Sequence, residues 1–342
     1  MATNPVFAND EESLYHKVQI QPFSSTPRNS LGLYSFEDDN IGVHGKTQEP
    51  TSLSERLGLE ELSSLETWRA SIGELLGTAT LVFALDTIYI SSYESNTATP
   101  NIVEPVFIAL IVTILILATS SVSGGHLNPI ISFSAALVGL ISMSRAAIYI
   151  SAQCIGAVLG ALALTAVVNN KIQNAFSLAG CTLSVSTMGP NGPTTATIET
   201  APALWLEIIC TFVLLFSCVW VAFDHRQAQA QARGPVSLFS GIGIVVGVLV
   251  FVSVTLTKNK GYAGVGMNPA RCLGPAIVRG GLLWDRHWVF WVGPFIACVA
   301  FYMYTKVIPR QHFQAREFRY DIFTTLSQAS RGRALGTPKP PA

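Results

Sequence analysis

The sequence predicts an all-α membrane protein with six transmembrane helices and two re-entrant half-helices arranged as an inverted repeat. Charged residues make up 12% of the 342-residue chain and hydrophobic residues 49%. The charged share is about half that of a typical soluble domain. Six apolar runs are long enough to cross a bilayer, and two Asn-Pro pairs, at Asn128 and Asn268, each open a shorter apolar run.

The long runs predict helices, because only helices and closed barrels satisfy their backbone groups in lipid. They cover residues 70–90, 106–122, 146–168, 203–223, 236–257 and 288–308. The runs at 129–140 and 269–278 are too short to span. Asn is a preferred helix N-cap and Pro suits the first helical position, so each short run is predicted to be a half-helix that begins inside the membrane.

The two halves of the chain repeat one pattern. Glu74 and Thr78 in the first run match Glu207 and Thr211 in the fourth, and the Asn-Pro pairs follow the second and fifth runs. Three spans per half make the halves face opposite ways, which predicts a functional site near the midplane. Glycines spaced four residues apart predict close helix crossings at residues 73/77, 156/160 and 243/247.

The remaining segments complete the predicted organisation. Residues 1–67 are predicted to be a disordered cytoplasmic tail, 68–310 the channel domain, and 311–342 a cytoplasmic C-terminal tail. The channel domain divides into halves 68–168 and 203–310, joined by an extracellular loop at 169–202. That loop and the loop at 91–102 carry few Lys and Arg residues, so the positive-inside rule places both termini in the cytoplasm.

Composition also bounds the partners. The formal charge is zero and no cysteines have CxxC spacing, so neither nucleic acid nor a metal or other cofactor is expected. The predicted surroundings are a lipid bilayer, most simply the plasma membrane.

Two half-helix N-termini that meet at the midplane would form a positive, donor-rich site, because each carries about +0.5 charge and free N–H groups. The amides of Asn128 and Asn268 would face a passing solute, and Arg271 would add a fixed positive charge that repels cations and protons. This arrangement predicts a path for small neutral solutes and performs no chemistry.

The intramembrane acids have a structural interpretation. Glu74 and Glu207 are predicted to accept hydrogen bonds from loop backbone N–H groups, away from the solute path. His126 either shapes the cytoplasmic mouth or is a structural histidine. Asp86, near the outer end of the first helix, is predicted to be solvated.

These motifs resemble the major intrinsic proteins, the aquaporin and aquaglyceroporin family, over residues 68–308. The boxes Asn128-Pro129-Ile130 and Asn268-Pro269-Ala270-Arg271-Cys272 most resemble those of the plant X intrinsic proteins. The resemblance implies a homotetramer with one pore per protomer. It also implies a four-position selectivity filter, formed here by Ile108, Val265, Arg271 and a fifth-helix residue. Alignment of the glycines selects Val250, and other alignments select Val246 or Val248.

The filter residues suggest the solute. Water-selective filters in this family contain an aromatic residue and a His, whereas three aliphatic side chains beside Arg271 would form an amphipathic slot. We therefore expect passage of glycerol, urea, hydrogen peroxide or boric acid with weak water flux. The alternative is a water-selective aquaporin. Ile130, beside the midplane, is expected to narrow or shift the pore.

Cys181 and Cys272 are possible redox residues, because Cys181 lies in the long outer loop and Cys272 follows the filter Arg. They either form an extracellular disulfide, or Cys272 is a packed or redox-sensitive thiol.

Three other classes share some of these features. A secondary transporter also has inverted repeats but needs a coupling site, and no convincing proton or sodium site is evident. A membrane enzyme using Cys272 and His126 is disfavoured, because the two residues belong to opposite half-helices. A structural or junction protein would conduct nothing.

Overall fold

A computed structural model describes residues 54, 57–95, 98–189, 192–223, 235–257 and 264–307. This part of the chain contains six helices long and apolar enough to span a membrane. Its α-helices are α1 (Leu65–Glu94), α2 (Pro100–Ser123), α3 (Pro129–Val138), α4 (Met143–Val167), α5 (Asn170–Phe176), α6 (Thr200–Phe223), α7 (Pro235–Thr257), α8 (Pro269–Arg279) and α9 (Val289–Val307). The predicted architecture of six spanning helices, with a shorter helix after each Asn-Pro pair, is confirmed.

The first helix begins earlier than its apolar run. The Ser64 hydroxyl accepts a hydrogen bond from the Thr67 N–H at 3.4 Å, so an N-cap sets the start of α1. A 3₁₀ turn at Leu59–Ser63 precedes it, and Glu61 in that turn contacts Arg145 Nε at 2.5 Å. The tail boundary at residue 67 is therefore corrected, because residues 57–67 are ordered against α4.

The tail residues 1–53 and 311–342 lie outside the described residues, so the predicted disorder of both tails stays a prediction.

The loop at 169–202 has structure that the sequence analysis did not predict. It contains α5, a 3₁₀ turn at Ser177–Ala179 and an antiparallel hairpin of β1 (Ser184–Gly189) and β2 (Gly192–Thr197). The strand sequences are rich in Thr and Ser, and the Gly-Pro-Asn-Gly stretch that joins them has the composition of a turn.

Close glycine contacts hold the spans together. Within each half the first and third spans pack, α1 on α4 and α6 on α9, and the halves meet along α2 and α7. A Cβ on Gly247 of α7 would lie 2.6 Å from the carbonyl oxygen of Pro105, so a side chain there would force the helices apart. A Cβ on Gly156 or Gly160 of α4 would lie closer still to a carbonyl oxygen of α1, that of Leu75 or Ala79. The two half-helices, α3 and α8, lie between the packed spans.

A candidate pore where two half-helices meet

The two Asn residues that cap α3 and α8 are cross-connected. Asn128 Nδ2 donates to the Met267 carbonyl and Asn268 Nδ2 to the Leu127 carbonyl, both at 2.9 Å. Each Asn Oδ1 accepts from its own helix, at the N–H of Ile130 (2.9 Å) or of Ala270 (3.1 Å). An amide nitrogen carries two N–H groups, so one on each Asn is left for a molecule between the half-helices.

The residues before the two caps are strained in the same way. Leu127 and Met267 have left-handed φ values of 51° and 50°, which cost a non-glycine residue about 1–2 kcal/mol. Two buried carboxylates hold these turns. Glu74 accepts from the N–H groups of His126 and Leu127 at 3.0 and 2.6 Å. Glu207 accepts in the same way.

The second carboxylate repeats the arrangement. Glu207 accepts from Gly266 N and Met267 N at 2.6 and 3.0 Å. Both glutamates are fully buried, and neither is among the described residues that line the central cavity. They act here as supports for the two turns.

A polar network that sequence reasoning missed lies beside α3. Gln153 Nε2 donates to Glu74 Oε2 at 2.8 Å and to Ser132 Oγ at 2.9 Å. His126 Nδ1 lies 3.0 Å from the same hydroxyl, and His126 also lines the cavity. The two roles considered for His126 are thus not exclusive. A lone Gln inside the third apolar run was the available signal.

One cavity runs from His126, past both Asn residues, to Arg271. We call its two limits the His126 end and the Arg271 end. Its helical wall is mainly aliphatic, with side chains one turn apart on α2 and α7: Ile108, Val112, Ile116, Ile242, Val246 and Val250. The two Asn-Pro loops and the first turn of α8 contribute the polar side chains of His126, Asn128, Asn268 and Arg271 to the lining.

All four predicted filter residues line this cavity: Ile108, Val250, Val265 and Arg271. Val248 is 54% exposed and lies outside the lining, so that alternative is wrong. Val246 lines the cavity one turn from Val250.

Ile130 does not have the place expected of it. Its side chain is fully buried in the hydrophobic core, and its neighbour Ile131 lines the cavity instead. Ile130 therefore does not narrow the path directly, because the first turn of α3 directs it into the packed core. Pro129, Pro269 and Ala270 are likewise buried in the first turns of α3 and α8.

Arg271 is held by three groups from different parts of the chain. Nη2 donates to the Ala179 carbonyl at 2.9 Å and lies 3.5 Å from Asp86 Oδ1, while Nη1 donates to Cys181 Sγ at 2.7 Å. Asp86 is fully buried, so its predicted solvation is wrong. The buried face of α1 extends beyond it to Tyr89 and Ile90, and the guanidinium compensates its charge.

Cys181 and Cys272 form a disulfide, with their Cα atoms 5.0 Å apart. The disulfide links the first turn of α8, directly beside Arg271, to the loop that contains Ala179. Both cysteines are buried, and Cys272 has no free thiol for the chemistry of an enzyme.

Glu104 is a cavity residue that sequence reasoning missed. It lies between the predicted loop at 91–102 and the second apolar run, but α2 begins at Pro100 and buries it to 1% exposure. It lines the cavity one turn from Ile108. The signal was its spacing of four residues from Ile108, which places both on one helix face.

Six spans around paired half-helices that enclose one continuous cavity define a channel-type membrane protein. Residues 61–304 match the family model described as "Major intrinsic protein". The chain belongs to the major intrinsic protein family, whose members are channels and not enzymes.

Several similar proteins are named as plant aquaporins. The chain is 32% identical over 283 residues to "Probable aquaporin PIP2-8" of Arabidopsis thaliana, covering 81% of this chain and 94% of the relative. It is 29% identical to "Aquaporin PIP-type" of Atriplex canescens, covering 80% and 92%. The aquaglyceroporin structure from Plasmodium falciparum shares the fold, with a TM-score of 0.58, 23% identity and coverage of 73% and 100%.

Proposed function

We propose that this protein is a passive channel for small uncharged solutes such as glycerol, urea, hydrogen peroxide and boric acid, with weak water flux. One observation carries the proposal. The cavity lining has aliphatic Ile108, Val250 and Val265 together with Arg271, and none of the described lining residues is Phe, Tyr or Trp. A wide apolar wall opposite hydrogen-bond donors suits a solute with carbon on one side and oxygen on the other.

Exclusion of ions follows from the same groups. The N-termini of α3 and α8 and the amides of Asn128 and Asn268 present partial positive charge to the cavity. This positive potential repels a cation. The aliphatic wall also offers no oxygen atoms to replace the water molecules of the cation's hydration shell. Neutral solutes exchange water for the Asn and Arg271 donors at little cost.

A water-selective channel is the second candidate, because the similar proteins are named as aquaporins. Stopped-flow measurements on proteoliposomes separate the two. We expect glycerol and urea to enter much faster than into protein-free liposomes, with a smaller gain in water permeability. Fast water flux without entry of glycerol, urea or hydrogen peroxide would overturn the first proposal and favour the second.

We further propose that the protein is a homotetramer in the plasma membrane, with both termini in the cytoplasm. Within its family we propose that it is most like the plant X intrinsic proteins. The distribution of Lys and Arg and the names of the PIP-type relatives support the location and orientation. Cys272 after the filter Arg and Ile130 in the first box support the subfamily. Cross-linking in native membranes tests the homotetramer, and protease protection of a tagged terminus tests the orientation.

A further inference from the structure

Glu104 is a buried acid of the spans that both lines the cavity and has an open hydrogen-bonding position. Glu74 and Glu207 accept hydrogen bonds from backbone N–H groups. The Asp86 oxygens also have no hydrogen-bond partner among the described residues, but Asp86 is ion-paired with Arg271 and lies outside the cavity lining. Glu104 Oε2 has no hydrogen-bond partner among the described residues, although the side chain is only 1% exposed. Burial of an unpaired carboxyl oxygen is unfavourable, so a molecule in the cavity is the natural partner.

The position of Glu104 decides which molecule that is. It lines the cavity one helical turn, about 6 Å along the axis, beyond Ile108. Arg271 lines the same end of the cavity and lies within electrostatic range of Glu104. A solute there meets a guanidinium, which only donates hydrogen bonds, and a carboxyl group, which accepts them.

We propose that Glu104 is a specificity-determining residue that accepts hydrogen bonds from a pair of donors carried on one atom of the solute, while Arg271 donates to the solute's oxygen. The inference rests on the proposed function and narrows its solute class. Urea fits, because its carbonyl points one way and its two amino groups the other. The open Oε2 atom of Glu104 has two lone pairs, so it can accept from two N–H groups that point the same way. Boric acid, with hydroxyl groups on one boron, presents the same pattern.

Urea and acetamide provide a sharp comparison. Both are small planar amides with a carbonyl oxygen for Arg271, but a methyl group in acetamide replaces one amino group. Glu104→Leu removes the acceptor and keeps an apolar side chain of similar size. Because loss of one hydrogen bond to a charged group costs about 1.5 kcal/mol, we expect the urea-to-acetamide permeability ratio to fall about tenfold.

The full-length protein is reconstituted in proteoliposomes, and the ratio is taken within each preparation, so channel number and folding yield cancel. Glu94→Leu is the matched control, because Glu94 is an exposed carboxylate at the C-terminal end of α1, outside the cavity lining. It should leave the ratio unchanged.

The outcomes separate the two proposals. An unchanged ratio in Glu104→Leu, with urea and glycerol still permeant, overturns the role of Glu104 and leaves the proposed channel function intact. Wild-type protein that passes neither urea nor glycerol overturns the proposed function itself. A fall of the urea-to-acetamide ratio in the Glu94→Leu control as well would mean that surface charge, and not the cavity acceptor, sets the ratio, and would overturn the role of Glu104.

Discussion

The Asp86 carboxylate lies 3.5 Å from Arg271 Nη2, and both side chains are buried between α1 and α8. The fixed positive charge of Arg271 is therefore balanced within the protein by an acid 185 residues earlier in the chain (271 − 86 = 185). Removal of one member of a buried ion pair leaves the other charge uncompensated, which costs about 3–5 kcal/mol.

Asp86→Asn should consequently lower the apparent unfolding temperature of the detergent-solubilised protein. Arg271→Val in the same background should recover part of that loss, because the pair is then removed together. A double-mutant cycle by differential scanning fluorimetry measures the coupling, expected to be at least about 1 kcal/mol. Additive losses in the double variant would show that the two charges do not interact.

Arg271→Val alone should raise the leak of protons and cations. The variant keeps the buried Asp86 carboxylate at the Arg271 end but loses the positive charge that faces the cavity. Proton entry into proteoliposomes that contain a pH-sensitive dye measures the leak. Arg279→Val, an exposed cation at the other end of α8, is the control and should not leak. Equal proton entry in the two variants would contradict this role of Arg271.

Ile108→Trp should reduce glycerol permeability more than tenfold and spare hydrogen peroxide. Ile108 is a buried aliphatic residue of the cavity wall, and the larger indole side chain of Trp at this position would narrow the passage. Swelling under a glycerol gradient and entry of peroxide are measured on one preparation. Val106→Trp alters the same helix at a 53% exposed position and should retain glycerol flux. If it blocks glycerol equally, the effect lies in the packing of α2.

The disulfide predicts a thiol count. Denatured, non-reduced protein should bind four equivalents of a maleimide, at Cys154, Cys210, Cys218 and Cys298, and six after reduction. Peptide mapping should find residues 181 and 272 in one linked fragment. Since the bond also fixes the Ala179 loop beside Arg271, reduction should lower the unfolding temperature by several degrees. Six reactive thiols without reductant would refute the link.

Most of the architecture could be predicted from the sequence, because the signals for spans and half-helices are local. Apolar length predicts a span, and Asn followed by Pro predicts a half-helix start, whichever residues lie nearby in space. The repeat of Glu74 and Glu207 then related the two halves. The residue that the fifth span, α7, contributes to the predicted filter did not follow from the sequence, because the loop before Val265 gives no fixed register for the alignment. Only the packing of α7 separates Val250 from Val248.

What the sequence alone determined is thus the set of elements with short-range codes: six spans, two capped half-helices and the candidate residues Asn128, Asn268 and Arg271. Only the tertiary structure decided which side chains share the cavity. Asp86 meets Arg271, Cys181 meets Cys272, and Glu104 turns inward. These relations join segments far apart in the chain, and each depends on helix rotation and burial, which no local pattern of residues specifies.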